Sequence, residues 1–327
     1  MSSKEQKGDR HLFYSCSEKV SVTFYWRLIL DGAHCAADNM AIDEAILRAC
    51  AQGLVPPTIR IYSWERPSIS LGCLQEVLRQ ARDAQDAGQC QGFDLDYCRA
   101  NGIEVVRRIT GGRAVPHGRD VTFSMAIRES DLPAGCGSVI ASHQWLMGGI
   151  VAGLRSLGLD AELGSLRNPH SPFATGNTDC FAHIAECDVR VGRAKAVGSA
   201  QVRRFDSLLE QGSIPYAAPA FDAARVLGRI GRAAACPLDG FTFDAIARAV
   251  MQGFEDHLQT TLESASLTDE EFANARDLAR EKYATDAWTL SRVAGLCAGG
   301  FSRTQTRQTT VADRRPETPP TAGTAGP

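Results

Sequence analysis

The sequence predicts an α+β protein, with mixed sheets packed against helices and a short helical C-terminal extension. Three observations carry this. Segments alternating apolar and polar residues recur between about residues 24 and 216, among them 58–64 and 120–127. Helical periodicity is interspersed with them, around 39–49 and 138–157. After Ala217 the pattern turns helical.

Taken in order, residues 1–23 are polar and aperiodic and read as a flexible N-terminal arm. Residues 24–30 (Phe-Tyr-Trp-Arg-Leu-Ile-Leu) read as a strand. A helix then begins near Asn39, with Asp38 or Asn39 as its N-cap and Asp43 and Glu44 in its first turn. Pro56-Pro57 closes the connection to a strand at 58–64, and Ser68 to Gly72 forms a second short strand. Residues 76–100 are polar and helical in part. Glu104 to Arg108 is a strand running into Thr110-Gly111-Gly112-Arg113, and Val121, Phe123, Met125 and Ile127 share one face of the next strand.

Residues 132–154 contain no Asp, Glu, Lys or Arg. Their glycines, Ser138, Ser142, His143 and Gln144 make them a buried core helix rather than a membrane span. Residues 188–197 read as a β-hairpin turning at Gly192-Arg193, and Gly212 to Tyr216 as the last strand of the core. In the extension, 217–303, one helix spans Phe243 to Gln259. Another opens at Thr268 with Glu271 three residues on, the capping-box spacing. The tail, 304–327, is rich in Thr, Arg and Pro, a composition that buries no core and predicts disorder.

Hydrophobic residues make up 44% of the 327 and charged residues 22%, ordinary values for a soluble globular protein. A net charge of −3 gives no reason to expect nucleic acid as a partner, and no membrane association is expected. The eleven cysteines are scattered, odd in number and without a C-x-x-C pair. That argues against a disulfide framework or a zinc site and for reduced thiols in the cytoplasm. The N-terminus lacks the apolar run of a secretory signal.

Three stretches carry chemistry. Lys195 lies fifteen positions after Cys180, within Gly192-Arg193-Ala194-Lys195 and ahead of Gly198-Ser199-Ala200-Gln201. A free thiol has a pKa of roughly 8.5, and an ammonium beside it favours the nucleophilic thiolate. Read alone, Cys180 is either such a nucleophile or a small core residue. In Arg108-Ile109-Thr110-Gly111-Gly112-Arg113, adjacent glycines after a strand either cradle a ligand with backbone N–H groups or make a tight turn. Flanking Arg108 and Arg113 then meet an anion or are simply solvated. His117 is an acid–base candidate or a loop residue, and His183 a second candidate base beside Cys180. The third stretch, Asn39-Met-Ala-Ile-Asp-Glu-Ala45 with Tyr62-Ser-Trp64, reads locally as helix and strand.

In their order these motifs, with Pro67-x-x-Ser70-x-Gly72-x-x-Gln75, Arg107-Arg-x-Thr-Gly-Gly-Arg-Ala-Val115-x-His117 and Gly198-Ser-Ala-Gln201, resemble the lipoate–protein ligase and octanoyltransferase superfamily. The resemblance covers about residues 24–216 and continues into the extension through Gly253-Phe-Glu255, Leu267-Thr268 and Lys282-Tyr283. It implies the biotin/lipoate ligase-like catalytic fold for 24–216. Cys180-Phe181 and Lys195 are similar to the cysteine-dependent octanoyltransferase branch rather than to the ATP-dependent ligases.

That branch implies transfer of an octanoyl group from octanoyl-acyl carrier protein to a lipoyl-domain lysine, as on glycine-cleavage H protein. Cys180 would carry the acyl group as a thioester and Lys195 would lower its pKa. Arg108, Thr110, Gly111, Gly112, Arg113, His117, Gly198, Ser199, Ala200 and Gln201 would bind substrate. No cofactor and no metal are implied, and a monomer is expected. Three positions depart from the branch: an alanine inserted before Lys195, Cys187 where tyrosine is usual, and Pro116 before His117. The rival readings are an ATP-dependent ligase, an amidotransferase between lipoyl domains, and a non-catalytic lipoyl-domain binder.

Overall fold

The computed structural model describes residues 25–75, 93–164, 188–227 and 236–290. The expected arm at 1–23 and tail at 304–327 lie outside them, as do Cys180 and His183.

The main sheet has eight strands. Strand β1 (Trp26–His34) is parallel to β2 (Thr58–Trp64), which is antiparallel to β6 (Asp120–Arg128). Antiparallel pairing continues through β10 (Ser207–Pro215), β9 (Ala194–Arg204), β8 (Val189–Val191) and β7 (Ala161–Leu163). At the far edge β11 (Leu262–Ser264) lies parallel to β1, so the extension read as helical also supplies a strand. A second sheet holds β3 (Ser68–Leu71) between β4 (Glu104–Arg107) and β5 (Val115–His117).

The period of two divides β6 between two environments. Val121, Phe123, Met125 and Ile127 enter an apolar cluster with helices α3 (Val139–Ser156) and α5 (Phe243–Leu258). Those two helices cross backbone against backbone. A Cβ on Gly253 would stand 2.2 Å from the amide nitrogen of Gly153. Asp120, Thr122 and Ser124 lie on the opposite face, and they too are buried. Helix α1 (Ala36–Ala51) covers that face, backed by α6 (Asp269–Leu278). The outer side of the small sheet packs on α2 (Leu95–Ala100) and α4 (Ala223–Leu227).

Helix α1 starts at Ala36, earlier than its sequence suggests, and neither Asp38 nor Asn39 caps it. The carboxylate of Glu104, on the small sheet, accepts the Ala36 N–H at 2.7 Å and supplies the negative charge that a helix N-terminus favours. Asn39 instead donates to the carbonyls of His34 and Ser63, tying the helix to β1 and β2. The Thr268–Glu271 capping box forms as expected. Glu271 also accepts two bonds from buried Arg27 of β1, which fastens the extension to the sheet edge.

Candidate active site

Cross-strand registry builds one wall of a pocket from two rows. Tyr62, Thr122, Ser213 and Gly198 form one, and Arg60, Ser124, Gln211 and Ala200 the next. The small sheet closes over them, and Trp64, Ser70, Arg108, Val115 and His117 line the cavity with Gly198 to Ala200. The site therefore sits where β9 and β10 meet the loops of the second sheet.

The loop 110–113 is held from beneath. Arg108 donates through Nη2 to the carbonyls of Gly111 (2.6 Å) and Arg113 (2.8 Å), and through Nε to Thr110 Oγ1 at 3.1 Å. Arg108 is thus a scaffold of the loop that sequence reading placed on the substrate. Thr110 donates to Gln211 Oε1 (2.8 Å), whose amide donates to Asp43 Oδ2 at 2.7 Å. Asp43 also accepts from Arg60, Tyr62 and Ser124, at 2.7 to 2.8 Å. Burial and the Asp43 carboxylate push the Tyr62 phenol well above its ordinary range, so it remains a donor to that carboxylate.

Two glycines make the loop possible. A Cβ on Gly72 would come within 1.9 Å of the Gly112 carbonyl oxygen, so only glycine lets the two turns touch. Gly112 has φ of 86°, in the left-handed region that L side chains avoid. Its Cβ position lies 3.7 Å from the Ala200 methyl, an ordinary van der Waals contact.

His117 is fixed on three sides. Its Nδ1 lies 2.7 Å from Asp120 Oδ2 and its Nε2 2.8 Å from Ser70 Oγ. The Trp64 ring stacks on it at a centroid distance of 4.0 Å. Asp120 also accepts from Thr122, Ser213 and the Gly118 N–H. Burial pushes its carboxyl up, but His117 and these donors outweigh it and hold the pKa below the usual carboxylate value.

Strand β9 carries a bulge just after Lys195. Val189 pairs with Val197 but Arg190 pairs with Lys195, which leaves Ala196 as an extra residue in β9. Residues paired across antiparallel strands share a face, so the bulge turns Lys195 away from the Val197 side. It joins Gly198 and Ala200 on the pocket face. There its ammonium is ion-paired with Asp188 at 2.8 Å, both side chains being nearly buried. Without the extra residue, regular alternation would send Lys195 into the apolar cluster that holds Val197.

The expected site residues do not all share one environment. Arg108, His117, Gly198, Ser199 and Ala200 line the cavity, with Thr110 to Arg113 forming its adjoining loop. The Ser199 hydroxyl points to Met147 Sδ at 3.7 Å, on the α3 side, so it is the backbone of Ser199 that borders the pocket. Gln201 also turns to that side, donating to Ser142 Oγ and to the buried carboxylate of Glu210, both at 3.1 Å. The sequence reading missed Asp43, Asp120, Asp188 and Gln211. Of these, Asp43 stood within the Asn39–Ala45 motif and Asp120 three residues after His117. Among the described residues no group of three or more His, Cys, Asp or Glu could hold a metal ion. None of their helices is long and apolar enough to cross a membrane.

A pocket on one face of the mixed sheet, beside a glycine-rich turn, agrees with the enzyme family already suggested by the motifs. Residues 35–235 match the lipoyl protein ligase A/B catalytic domain, and the chain belongs to that family. It is 33% identical over 293 residues to octanoyltransferase LipM of Brevibacillus brevis, covering 82% of this chain and 99% of that one. Its identity to octanoyltransferase LipM of Symbiobacterium thermophilum is 35% over 293 residues, covering 82% and 98%. The fold is similar to the crystal structure of lipoate-protein ligase A bound with ATP, with a TM-score of 0.63 and 26% identity, covering 81% of this chain and 98% of that one.

Proposed function

We propose that this chain transfers an octanoyl group from octanoyl-acyl carrier protein to a lysine of a lipoyl domain, such as glycine-cleavage H protein. The observation that carries this reading is the 33% and 35% identity to two octanoyltransferases across 82% of the chain and nearly their whole lengths. In this reading residues 24–216 form the catalytic domain, 217–303 an extension fastened to it, and the enzyme works in the cytoplasm.

Cys180 thiolate attacks the octanoyl thioester carbonyl, and the phosphopantetheine thiolate leaves and takes a proton. The acceptor amine then attacks the Cys180 thioester, releasing the thiol and forming the amide. The first step exchanges one thioester for another, so neither step needs ATP. Lys195 favours the thiolate by Coulomb attraction. Asp188 holds that ammonium at 2.8 Å, on the sheet face that the Ala196 bulge gives it. Arg113 and the backbone of Gly111, Gly112 and Gly198 to Ala200 would hold the acyl arm.

The test is transfer from octanoyl-acyl carrier protein to an apo lipoyl domain, followed by mass spectrometry of the acceptor. The reading predicts octanoyl-lysine without nucleotide. Modification that requires ATP and free octanoate would replace it with a ligase.

A further inference from the structure

The second half of such a transfer requires a proton to be removed from the acceptor. An acceptor lysine arrives as an ammonium, with a pKa near 10.4, and has no lone pair until it loses a proton. Something in the pocket must take that proton before the thioester is attacked.

Among the described residues one chain of groups is wired to do so. Asp120 Oδ2, 2.7 Å from Nδ1 of His117, fixes the imidazole proton on that nitrogen. The lone pair of Nε2 then faces Ser70 Oγ at 2.8 Å, and the serine hydroxyl donates to it. Ser70 Oγ accepts from Arg108 Nη1 at 3.1 Å, which occupies one of its two lone pairs. The second is left for an N–H donor entering the cavity that Ser70, Arg108 and His117 line. Trp64, stacked on the imidazole and held by its own bond to Thr122, prevents the ring from turning.

We propose that Ser70, His117 and Asp120 form a proton-accepting relay that deprotonates the acceptor lysine, so that the imidazole serves acyl discharge rather than acyl loading. This rests on the function proposed above. One ammonium proton passes to Ser70 Oγ as the serine proton passes to His117 Nε2, and Asp120 stabilises the imidazolium. The freed nitrogen lone pair forms the C–N bond. As the tetrahedral intermediate collapses, the C–S bond breaks, its electrons return to sulfur, and the second nitrogen proton goes to the departing thiolate. The imidazolium returns its proton to solvent. The amide, the free thiol and one released proton balance the acyl-enzyme and the ammonium.

The experiment isolates the octanoyl-enzyme formed from octanoyl-acyl carrier protein and discharges it in parallel with an apo lipoyl domain and with hydroxylamine. Hydroxylamine is already neutral at pH 7 and needs no base. His117→Gln and Ser70→Ala are expected to slow discharge to the lipoyl domain on the order of 100-fold, the usual worth of a positioned base. Their discharge to hydroxylamine stays at the wild-type rate. Asp120→Asn, which cannot hold the same imidazole tautomer, follows His117→Gln.

Equal slowing toward both nucleophiles would make the three residues structural and overturn the relay. So would unchanged discharge toward both, or an acyl group found on Ser70 as an oxyester. A wild-type enzyme that forms no adduct would overturn the function proposed above, and the relay with it. A normal adduct with base-independent discharge would overturn the relay alone.

Discussion

The two faces of β6 are both buried and do opposite work. On one face Val121, Phe123, Met125 and Ile127 meet α3 and α5 through apolar packing, with the buried Glu210 and its partners Gln201 and His143 beside them. On the other, the neighbouring residues of the same strand, Asp120, Thr122 and Ser124, enter a closed network with Asp43, Arg60, Tyr62 and His117. A buried polar group without a partner costs free energy, so each group on the second face constrains its neighbours. The polar face is the one that borders the pocket.

This contrast can be broken or sharpened by substitution, beginning with the largest effect. On the proposed mechanism, Cys180→Ala abolishes acyl loading while leaving the melting temperature near the wild-type value, since it removes a nucleophile and one small side chain. Lys195→Met slows loading at pH 7 by about tenfold or more, because a free thiol with a pKa of roughly 8.5 is mostly protonated there. The deficit narrows as the pH is raised toward 9, which stopped-flow loading across a pH series will read.

Next come two substitutions expected to match in stability and differ in activity. Phe123→Ala costs about 3–5 kcal/mol of stability. Asp43→Ala leaves Arg60 without one of its buried partners and costs a similar amount, about 3–5 kcal/mol. Denaturant melts will measure both. Loading per folded molecule, taken well below the transition, is predicted to survive in Phe123→Ala and to fall in Asp43→Ala. The second change cuts the path from Asp43 through Gln211 and Thr110 to the glycine loop. Equal activity in the two variants would contradict the division of labour between the faces.

Acid should attack the polar face first. Burial pushes the Asp31 carboxyl up, but His34 and Arg60 bring its pKa down to about 2, and Asp120 is likewise held low. Carboxyls with depressed folded values add stability above their unfolded pKa of about 4 and lose it as the pH falls through the folded value. Urea midpoints are therefore predicted to hold from pH 7 to about 5 and to fall between roughly pH 4 and 2. Asp31→Asn should flatten that fall. Smallest of all, Thr268→Ala removes the cap of α6 at a cost of about 1 kcal/mol, with transfer activity unchanged.

The apolar face was legible in the sequence, and much of the polar one was not. Alternation at 120–127 identified the core side of β6 without ambiguity, and the charge-free run gave α3. The Thr268–Glu271 spacing gave the cap of α6, because each of these is a local pattern. What escaped depended on distant partners. The start of α1 is set by Glu104, 68 residues away, and β9 continues to Arg204 through Gly198-Ser-Ala-Gln, residues with little strand preference that pairing with β10 overrides. Strand β11 is three residues long and exists through its parallel partner β1.

The site divides in the same way. Spacing left the glycines and arginines around Thr110 open between a site and an ordinary turn, and the resemblance made them and Lys195 candidates. The bulge that turns Lys195 toward the pocket follows from pairing with β8. Asp188 and Gln211 are ordinary residues in the sequence and become parts of the site through their contacts.

The most direct measurement is the intact mass of the protein mixed with octanoyl-acyl carrier protein in the absence of ATP, beside Cys180→Ala. A single octanoyl adduct on the wild type, removed by neutral hydroxylamine and absent from the variant, is the predicted result. An adduct that persists in Cys180→Ala, or none on a wild-type protein that still modifies a lipoyl domain, would contradict the thioester account.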